Sequence, residues 1–331
     1  SGTATITYTV STCVVTAVVT VNPTPVPPPI TGPTFVCTGD TVTFSVLPAV
    51  AGSTWSSTNP SVATVGASTG QVAGISTGTT MISYRLPTGC FSTRTITVNP
   101  KASIGGFPMM CVGDVTTFSN AVPGGTWSSS STALATVVPT TGITTGVAAG
   151  NPFITYTTPA GCISTVELTI NPLPSPITGT PTVCEGASTP LSSATPGGFW
   201  SSSNEAVASV SGTGLLIGNS AGTALITYKI STGCMVTLTI TVNAQPLSIG
   251  GTPTVCVEST TTLTNALAGG AWSSSAPTVG TIDAATGVYT GISAGTSNVT
   301  YMMPTGCFRT ITVTVNATPT PITGIPSVCI G

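Results

Sequence analysis

The chain has very little charge and no histidine. Only 4% of its 331 residues are charged, against roughly 25% in an ordinary soluble protein. A net charge of −2 gives no basic surface for nucleic acid. Catalysis by a nucleophile and a base needs a positioned His, Lys or carboxylate, and the only lysines are Lys101 and Lys229. We therefore expect no enzyme, no cofactor and no nucleic-acid partner.

Long apolar runs are also missing. A membrane-spanning helix needs about 20 consecutive apolar residues, and the longest candidate, 13–19, contains Thr and is soon followed by Asn22-Pro23. The chain is nevertheless 40% hydrophobic, with 38 Gly and 28 Pro. Val and Thr favour strands, and Gly and Pro favour turns. This composition predicts an all-β protein with many short strands and no membrane span.

A Trp-Ser-Ser motif shows that the chain is repetitive, because it recurs every 72 or 73 residues, at Trp55, Trp127, Trp200 and Trp272. Such a period indicates tandem structural units. Other markers are an early cysteine, a late cysteine after Gly, and a closing Val-Asn or Ile-Asn. These markers predict four complete repeats of about 72 residues in a linear array: repeat 1 (23–99), repeat 2 (100–171), repeat 3 (172–243) and repeat 4 (244–316). Residues 1–22 match the end of a repeat and 317–331 match the start of another, as expected for a segment of a longer array.

Within each repeat, short alternating segments predict about seven strands separated by turns, which is the pattern of an immunoglobulin-like β-sandwich. The single Trp on the third strand is expected in the core, although an exposed Trp row would instead suit stacking on sugars. A recurring inward-facing tyrosine is also predicted in the core. The predicted core residues are Trp55, Trp127, Trp200, Trp272, Tyr84, Tyr156, Tyr228 and Tyr301.

The run from Trp200 to Ala208, followed by Thr-Gly and by the segment from Ser220 to Tyr228, resembles the bacterial immunoglobulin-like group 2 repeat. All four repeats share this resemblance. The added cysteines and Pro-Ile-Thr-Gly linkers are similar to versions in very large secreted proteins of Bacteroidota. The resemblance implies a fold, whereas such modules serve as stalks, adhesins and filament shafts alike.

Ten cysteines in this composition predict disulfides and an oxidising, extracellular or cell-surface location. Zinc binding is disfavoured because the chain has no His and no Cys-x-x-Cys pair. The early Cys37 precedes the second strand and the late Cys90 lies between the last two strands, so a strand length of roughly 25 Å separates them. A disulfide needs Cα atoms within about 7 Å.

Pairing between neighbouring repeats is therefore favoured. It gives Cys37–Cys162, Cys111–Cys234 and Cys184–Cys307, and leaves Cys13, Cys90, Cys256 and Cys329 to pair with repeats beyond residues 1–331. Pairing within repeats, such as Cys37–Cys90, is the alternative if the strand assignment shifts.

Few other side chains suggest chemistry. One carboxylate follows each early cysteine, and it is interpreted either as part of a calcium or sugar site or as a solvated turn residue. Calcium takes six to eight oxygen ligands, so one carboxylate in each repeat favours the solvated turn. Thr41, after Asp40, is a candidate O-glycosylation site. The sequons at Asn298 and Asn316 lie in predicted strands and are interpreted as accidental. The four carboxylates are Asp40, Asp114, Glu185 and Glu258.

Three functions remain open from the sequence: a segment of an extracellular filament or long surface fibre, an adhesin that binds polysaccharide or other cells, and the stalk of an enzyme. Uniform repeat length and Pro-rich linkers favour the fibre. Near-zero net charge favours association, so other copies of the chain, laterally or end to end, are the expected partners. Cell-surface polysaccharide is the partner that the adhesin hypothesis adds.

The five basic residues give a first test, since trypsin cleaves only after Lys or Arg. Arg85, Arg94, Lys229 and Arg309 lie in or beside predicted strands, whereas Lys101 lies in a linker. Limited trypsinolysis followed by gel electrophoresis under reducing conditions should therefore leave most of the chain intact, with Lys101 the first site cut. Rapid digestion at all five sites would show that the repeats are not compactly folded.

Overall fold

The structure, a computed structural model, describes residues 2–21, 27–321 and 323–324. Its described residues form β-strands and turns and contain no helix; none of them accordingly forms a helix of the length and apolarity that a membrane crossing needs. The chain divides into two compact units, Ser1–Pro172 and Leu173–Gly331. Cys329 lies outside the described residues.

The first unit opens with an isolated hairpin of β1 and β2, which pair only with each other. Repeats 1 and 2 follow. The strands of this unit are β1 (Gly2–Val10), β2 (Cys13–Val21), β3 (Phe35–Cys37), β4 (Thr41–Thr43), β5 (Thr54–Ser57), β6 (Ala63–Val65), β7 (Gln71–Gly74), β8 (Gly78–Arg85), β9 (Phe91–Asn99), β10 (Ile104–Gly105), β11 (Met109–Cys111), β12 (Val115–Thr117), β13 (Ser119–Asn120), β14 (Thr126–Ser129), β15 (Ala135–Val137), β16 (Ile143–Gly146), β17 (Phe153–Thr157), β18 (Ile163–Glu167) and β19 (Thr169–Asn171).

The second unit holds repeats 3 and 4, with seven strands each. They are β20 (Thr182–Cys184), β21 (Ser188–Pro190), β22 (Phe199–Ser202), β23 (Ala208–Val210), β24 (Leu215–Gly218), β25 (Gly222–Lys229), β26 (Met235–Asn243), β27 (Thr254–Cys256), β28 (Thr260–Thr262), β29 (Ala271–Ser274), β30 (Gly280–Ile282), β31 (Val288–Gly291), β32 (Gly295–Met302) and β33 (Phe308–Asn316).

Repeats 1, 3 and 4 are each a sandwich of two sheets, whereas the strands of repeat 2 form two three-stranded sheets and two two-stranded pairs. In repeat 1 a four-stranded sheet has the order β3-β9-β8-β5 and a three-stranded sheet the order β4-β7-β6, and repeats 3 and 4 share this topology. The first strand runs parallel to the last, so that Cys37 lies opposite Asn99. This pairing places the early cysteine beside the residue at which the chain leaves the repeat.

The core of each repeat is built around one Trp and one Tyr. Their ring centroids lie 4.6–4.8 Å apart in all four repeats, a range in which aromatic pairs attract. The Tyr228 hydroxyl accepts a hydrogen bond from Gly198 N at 2.8 Å and donates one to Thr195 O at 2.6 Å. Trp200 is half-buried, whereas the other three Trp and all four Tyr of this set are buried.

The alternating segment 41–46 of repeat 1, which its period-two pattern predicts as one strand, is not a single strand. Strand β4 ends at Thr43, and Ser45 instead bridges to Thr31. Phe44 and Val46 are nevertheless both buried. The period-two pattern therefore continues through a chain segment that has left the three-stranded sheet.

Repeat 2 has ten strands instead of the expected seven. Pro152 precedes β17, which starts only at Phe153, and the last strand is interrupted at Leu168. Proline has no N–H for the sheet ladder. Leu168 N donates to Pro152 O at 2.9 Å, so the two strands are still held together where the regular pairing stops.

Adjacent leucines in β24 allow the packing of repeat 3 to be tested. Leu216 is fully buried, whereas Leu215 is 43% exposed. Leu216→Ala should destabilise repeat 3 by about 2–5 kcal/mol, because it removes buried methyl groups and leaves a cavity. Leu215→Ala, the matched control, should change stability by about 0.5 kcal/mol or less. Amide hydrogen exchange of β24–β26 in the full chain measures both, and equal effects would contradict the sandwich register.

Candidate functional site at the joints between repeats

The early cysteine of each repeat begins a tight turn. Asp40 N donates to Cys37 O at 3.0 Å, and the residue before it, Gly39, has φ +82°. A left-handed residue at the third position is what a type II turn requires. Gly113 and Gly186 repeat this geometry, but Glu258 takes the same place in repeat 4 with φ +65°. A non-glycine residue is unfavourable there.

The carboxylates after the early cysteines therefore do not form one repeated site. Asp40 and Asp114 close the turn, Glu185 directly follows Cys184, and Glu258 occupies the glycine position. No group of three or more His, Cys, Asp or Glu within the described ranges could hold a metal ion. Three of the four carboxylates instead bind groups of the chain itself. Their bonds are Lys101 Nζ to Asp40 at 2.7 Å, Cys111 N to Asp114 at 3.0 Å, and Ala221 N and Gln245 N to Glu185 at 2.6 and 3.1 Å.

Disulfides cross from one repeat to the next within each compact unit. Cys37 of repeat 1 is bonded to Cys162 of repeat 2 with Cα atoms 5.8 Å apart. Cys184 of repeat 3 is bonded to Cys307 of repeat 4 with Cα atoms 5.7 Å apart. Both distances lie in the usual range for disulfides. Each bond therefore joins the exit of one repeat to the turn before the last strand of its neighbour.

Strand geometry keeps Cys37 and Cys90 apart. Cys37 lies opposite Asn99, and Cys90 immediately precedes the start of β9. The nine residues between Cys90 and Asn99 span roughly 30 Å along the strand. Cys90 is half-buried, Cys13 and Cys256 are exposed, and none of these three forms a disulfide within the described residues. A pairing of Cys111 with Cys234 stays a prediction.

Hydrogen bonds surround each cross-joint disulfide in equivalent positions. In the linker that follows repeat 1, Lys101 N donates to Thr38 Oγ1 at 3.0 Å. In the linker that follows repeat 3, Gln245 N donates to Glu185 Oε2 at 3.1 Å. In both joints the acceptor is the side chain directly after the early cysteine. The first linker residues are thus held against the turn that carries the disulfide.

The following repeat also binds the linker. Ser164 Oγ donates to Ala102 O at 2.7 Å, and Arg309 Nε donates to Pro246 O at 3.0 Å. Both donors lie two residues after a late cysteine. Ser92 makes the equivalent bond to Pro28 O at 3.2 Å. Buried linker carbonyls need such partners, and the sequence signal that could have revealed them is a polar residue at this position of the last strand.

The ion pair of Lys101 with Asp40 is a minor part of the joint. Its side chains are 31% and 44% exposed, and exposed pairs typically contribute about 0–1 kcal/mol. A cleft of about 460 Å³ beside it is lined by Thr38, Asp40, Lys101 and Ser164 among others. The disulfide, whose Cys37 and Cys162 are both buried, is the stronger constraint on the joint.

The predicted modification sites lie on the surface of the strands. Thr41 is exposed at the start of β4, where it pairs with Ala73. Asn298 is exposed in β32, and its side-chain oxygen accepts a hydrogen bond from Thr312 at 2.8 Å. Asn316 ends β33. The asparagines thus lie within paired strands, as the sequence indicated.

Comparisons with known proteins agree with this fold. Residues 178–231, within repeat 3, match the family model for the bacterial Ig-like domain (group 2). No curated protein matches the chain. Solved structures match over most of the chain. The first of these is domains 1–6 of the surface layer protein SbsC, which is 16% identical over 85% of this chain, with a TM-score of 0.22. The chain spans about half (53%) of the length of that structure.

Two other similar structures are invasin, a bacterial integrin-binding protein, and the insect immune protein hemolin. Invasin is 15% identical over 87% of this chain and 79% of its own, with a TM-score of 0.32. Hemolin is 11% identical over 88% of this chain and 100% of its own, with a TM-score of 0.25. These low TM-scores carry no argument about the chain. Its strand topology and the family match within repeat 3 show that it is a series of tandem immunoglobulin-like β-sandwich repeats.

The connectivity at the joints can be tested by peptide mapping. Digestion without reduction and mass spectrometry should find Cys37 linked to Cys162 and Cys184 linked to Cys307, because each of these pairs meets at bonding distance across a joint. By repeat equivalence, Cys111 should be linked to Cys234. A peptide joining Cys111 to Cys162 would overturn pairing across joints, and the reduced digest is the control.

Proposed function

We propose that the chain is a load-bearing segment of an extracellular filament or long surface fibre, made of four repeats bounded at 23–99, 100–171, 172–243 and 244–316. The observation that carries this proposal is the position of the disulfides. Each one joins the exit of a repeat to the next repeat, so it constrains the joint. A bridge within one repeat would stabilise only that repeat.

The disulfides also define how tension passes along the chain. They close 125 and 123 of the 331 residues, roughly three quarters of the chain. When the ends are pulled, force passes through the disulfides, and the enclosed residues carry none of it. The enclosed part of a repeat can then unfold without lengthening the fibre, which is a property that a shaft under load requires, whereas residues 163–183 between the two loops stay in the load path.

Location and chemistry follow from the same features. Stable disulfides form in oxidising compartments, which supports an extracellular or cell-surface location. The described residues offer no cluster for a metal and no histidine for catalysis, which supports a structural role over an enzymatic one. Other copies of the chain are the partners proposed for a fibre, and the parent would be a very large secreted protein of the kind found in Bacteroidota.

An adhesin is the second candidate, and one loop favours it. Repeat 1 carries eleven residue steps from Phe44 to Trp55, whereas repeat 2 has nine from Phe118 to Trp127. The longer loop presents Leu47, which is 80% exposed. An exposed apolar loop on one repeat suits contact with polysaccharide or another cell. Binding of the chain to immobilised cell-surface polysaccharide, lost in Leu47→Ser, would support this role.

Single-molecule stretching tests the load path. Cys162→Ser should lengthen the fully extended, oxidised chain by on the order of 100 residues, or roughly 350 Å, because residues enclosed by the disulfide would become free to extend. Cys90→Ser is the matched control and should leave the length unchanged, because Cys90 is unpaired. The reverse result, lengthening with Cys90→Ser, would show pairing within repeats and contradict the proposal.

A further inference from the structure

The outer face of the sheet that contains the Trp strand carries a row of hydroxyl groups in every repeat; this sheet is four-stranded in repeats 1, 3 and 4 and three-stranded in repeat 2. In repeat 4, Ser273 lies opposite Thr300, and Thr300 lies opposite Thr310. Strands are about 4.8 Å apart, so the three hydroxyls form a straight row across β29, β32 and β33. The equivalent rows are Ser56, Ser83 and Thr93; Ser128, Thr155 and Thr165; and Ser201, Thr227 and Thr237. Together these residues are named the hydroxyl rows.

The fold does not use these hydroxyls. Ser274, the neighbour of Ser273, points inward and donates to Gly280 O at 2.8 Å. In the described part of the chain, none of the twelve residues of the hydroxyl rows makes a side-chain hydrogen bond to another residue. A hydroxyl offers one donor and two acceptor sites. The rows are therefore available to a partner that supplies both kinds of group.

An exposed apolar side chain lies beside each row, at the position after the late cysteine. Phe91, Ile163, Met235 and Phe308 are 62%, 52%, 48% and 49% exposed. These four residues share apolar character but not an aromatic ring. Stacking on a sugar ring needs a flat aromatic face at each site, whereas packing against protein side chains needs only apolar surface. The comparison among repeats thus favours a protein partner over a polysaccharide.

Charge is sparse on this face. The outward positions of β29, β32 and β33 in repeat 4 hold no acidic or basic residue, and the same face holds one charged residue in each other repeat: Arg85, Glu167 and Lys229. Hydroxyl rows are also self-complementary, since each hydroxyl both donates and accepts. Two identical surfaces related by a two-fold axis can therefore pair row against row, which is the usual geometry of a symmetric dimer.

We propose that the hydroxyl rows and their apolar neighbours form the surface through which two copies of this chain associate laterally. The inference rests on the proposed fibre function and names its contact surface. One sheet face of repeat 4 offers roughly 400 Å², from four strands of three to nine residues at about 3.3 Å per residue and 4.8 Å between strands. A stable interface buries about 800 Å² on each partner. Faces of at least two repeats in each chain must therefore take part.

Sedimentation velocity of the full oxidised chain tests this inference. The double variant Ser201→Lys with Ser273→Lys places a charge in two hydroxyl rows and should weaken self-association at least tenfold. The control double variant is Ser188→Lys with Thr281→Lys. These residues are also exposed on edge strands of repeats 3 and 4, but in the three-stranded sheets, so association should be unchanged. Amide exchange checks that both variants fold.

Three outcomes would overturn the inference: a chain that stays monomeric at all concentrations, equal effects of the two double variants, or dissociation of the native chain when salt is raised from about 0.05 to 0.5 M. The last result would show that screened ion pairs hold the copies together. None of these outcomes changes the extended length of the Cys162→Ser variant. Failure of the lateral surface is thus distinguishable from failure of the load-bearing function.

Discussion

The parallel pairing of the first strand of each repeat with its last strand is the constraint on which the joints depend. In repeat 1 it places Cys37 beside Asn99, where the chain leaves the sandwich. The register sets the three-residue β3 against the last three residues of β9, and so keeps the early cysteine away from the other end of the domain. The late cysteine lies at that other end, so the two cysteines of one repeat cannot meet. Disulfides therefore form between neighbouring repeats.

The two described joints use different side chains for the same contacts. Between repeats 1 and 2, a threonine hydroxyl accepts from the linker N–H and a serine donates to the linker carbonyl. Between repeats 3 and 4, a glutamate carboxylate accepts and an arginine donates. The covalent bond is common to both. Linker geometry is therefore fixed by backbone hydrogen bonds whose partners can vary in chemistry, provided that each can reach the same backbone atom.

The sequence carried enough information for the sandwich and its core, because Trp and Tyr recur with the period of the repeat and strands alternate visibly. The predicted positions of Cys37 and Cys90, one strand length apart, were also sufficient to disfavour a disulfide between them. The turn after the early cysteine was harder to predict: order along the chain groups Glu258 with Asp40, whereas the backbone places it with Gly39. A one-residue offset in a turn leaves no periodic signal.

Other features depend on tertiary context that spacing cannot express. The interruption of the last strand of repeat 2 lies opposite Pro152, whose missing N–H could have been noticed in a predicted strand. The bond from Ser164 to Ala102 joins residues 62 positions apart and requires the joint to be formed first. No local pattern identifies which serine of a Thr- and Ser-rich strand faces a linker.

The long loops closed by the disulfides also determine what a broken peptide bond does to the molecule. Any single cleavage between Cys37 and Cys162 leaves both pieces covalently attached through the sulfur atoms, and the same holds between Cys184 and Cys307. Two separate failures, one of the backbone and one of a disulfide, are needed to part the chain in these regions. The covalent continuity of the chain across these two regions therefore survives a protease cut in its backbone.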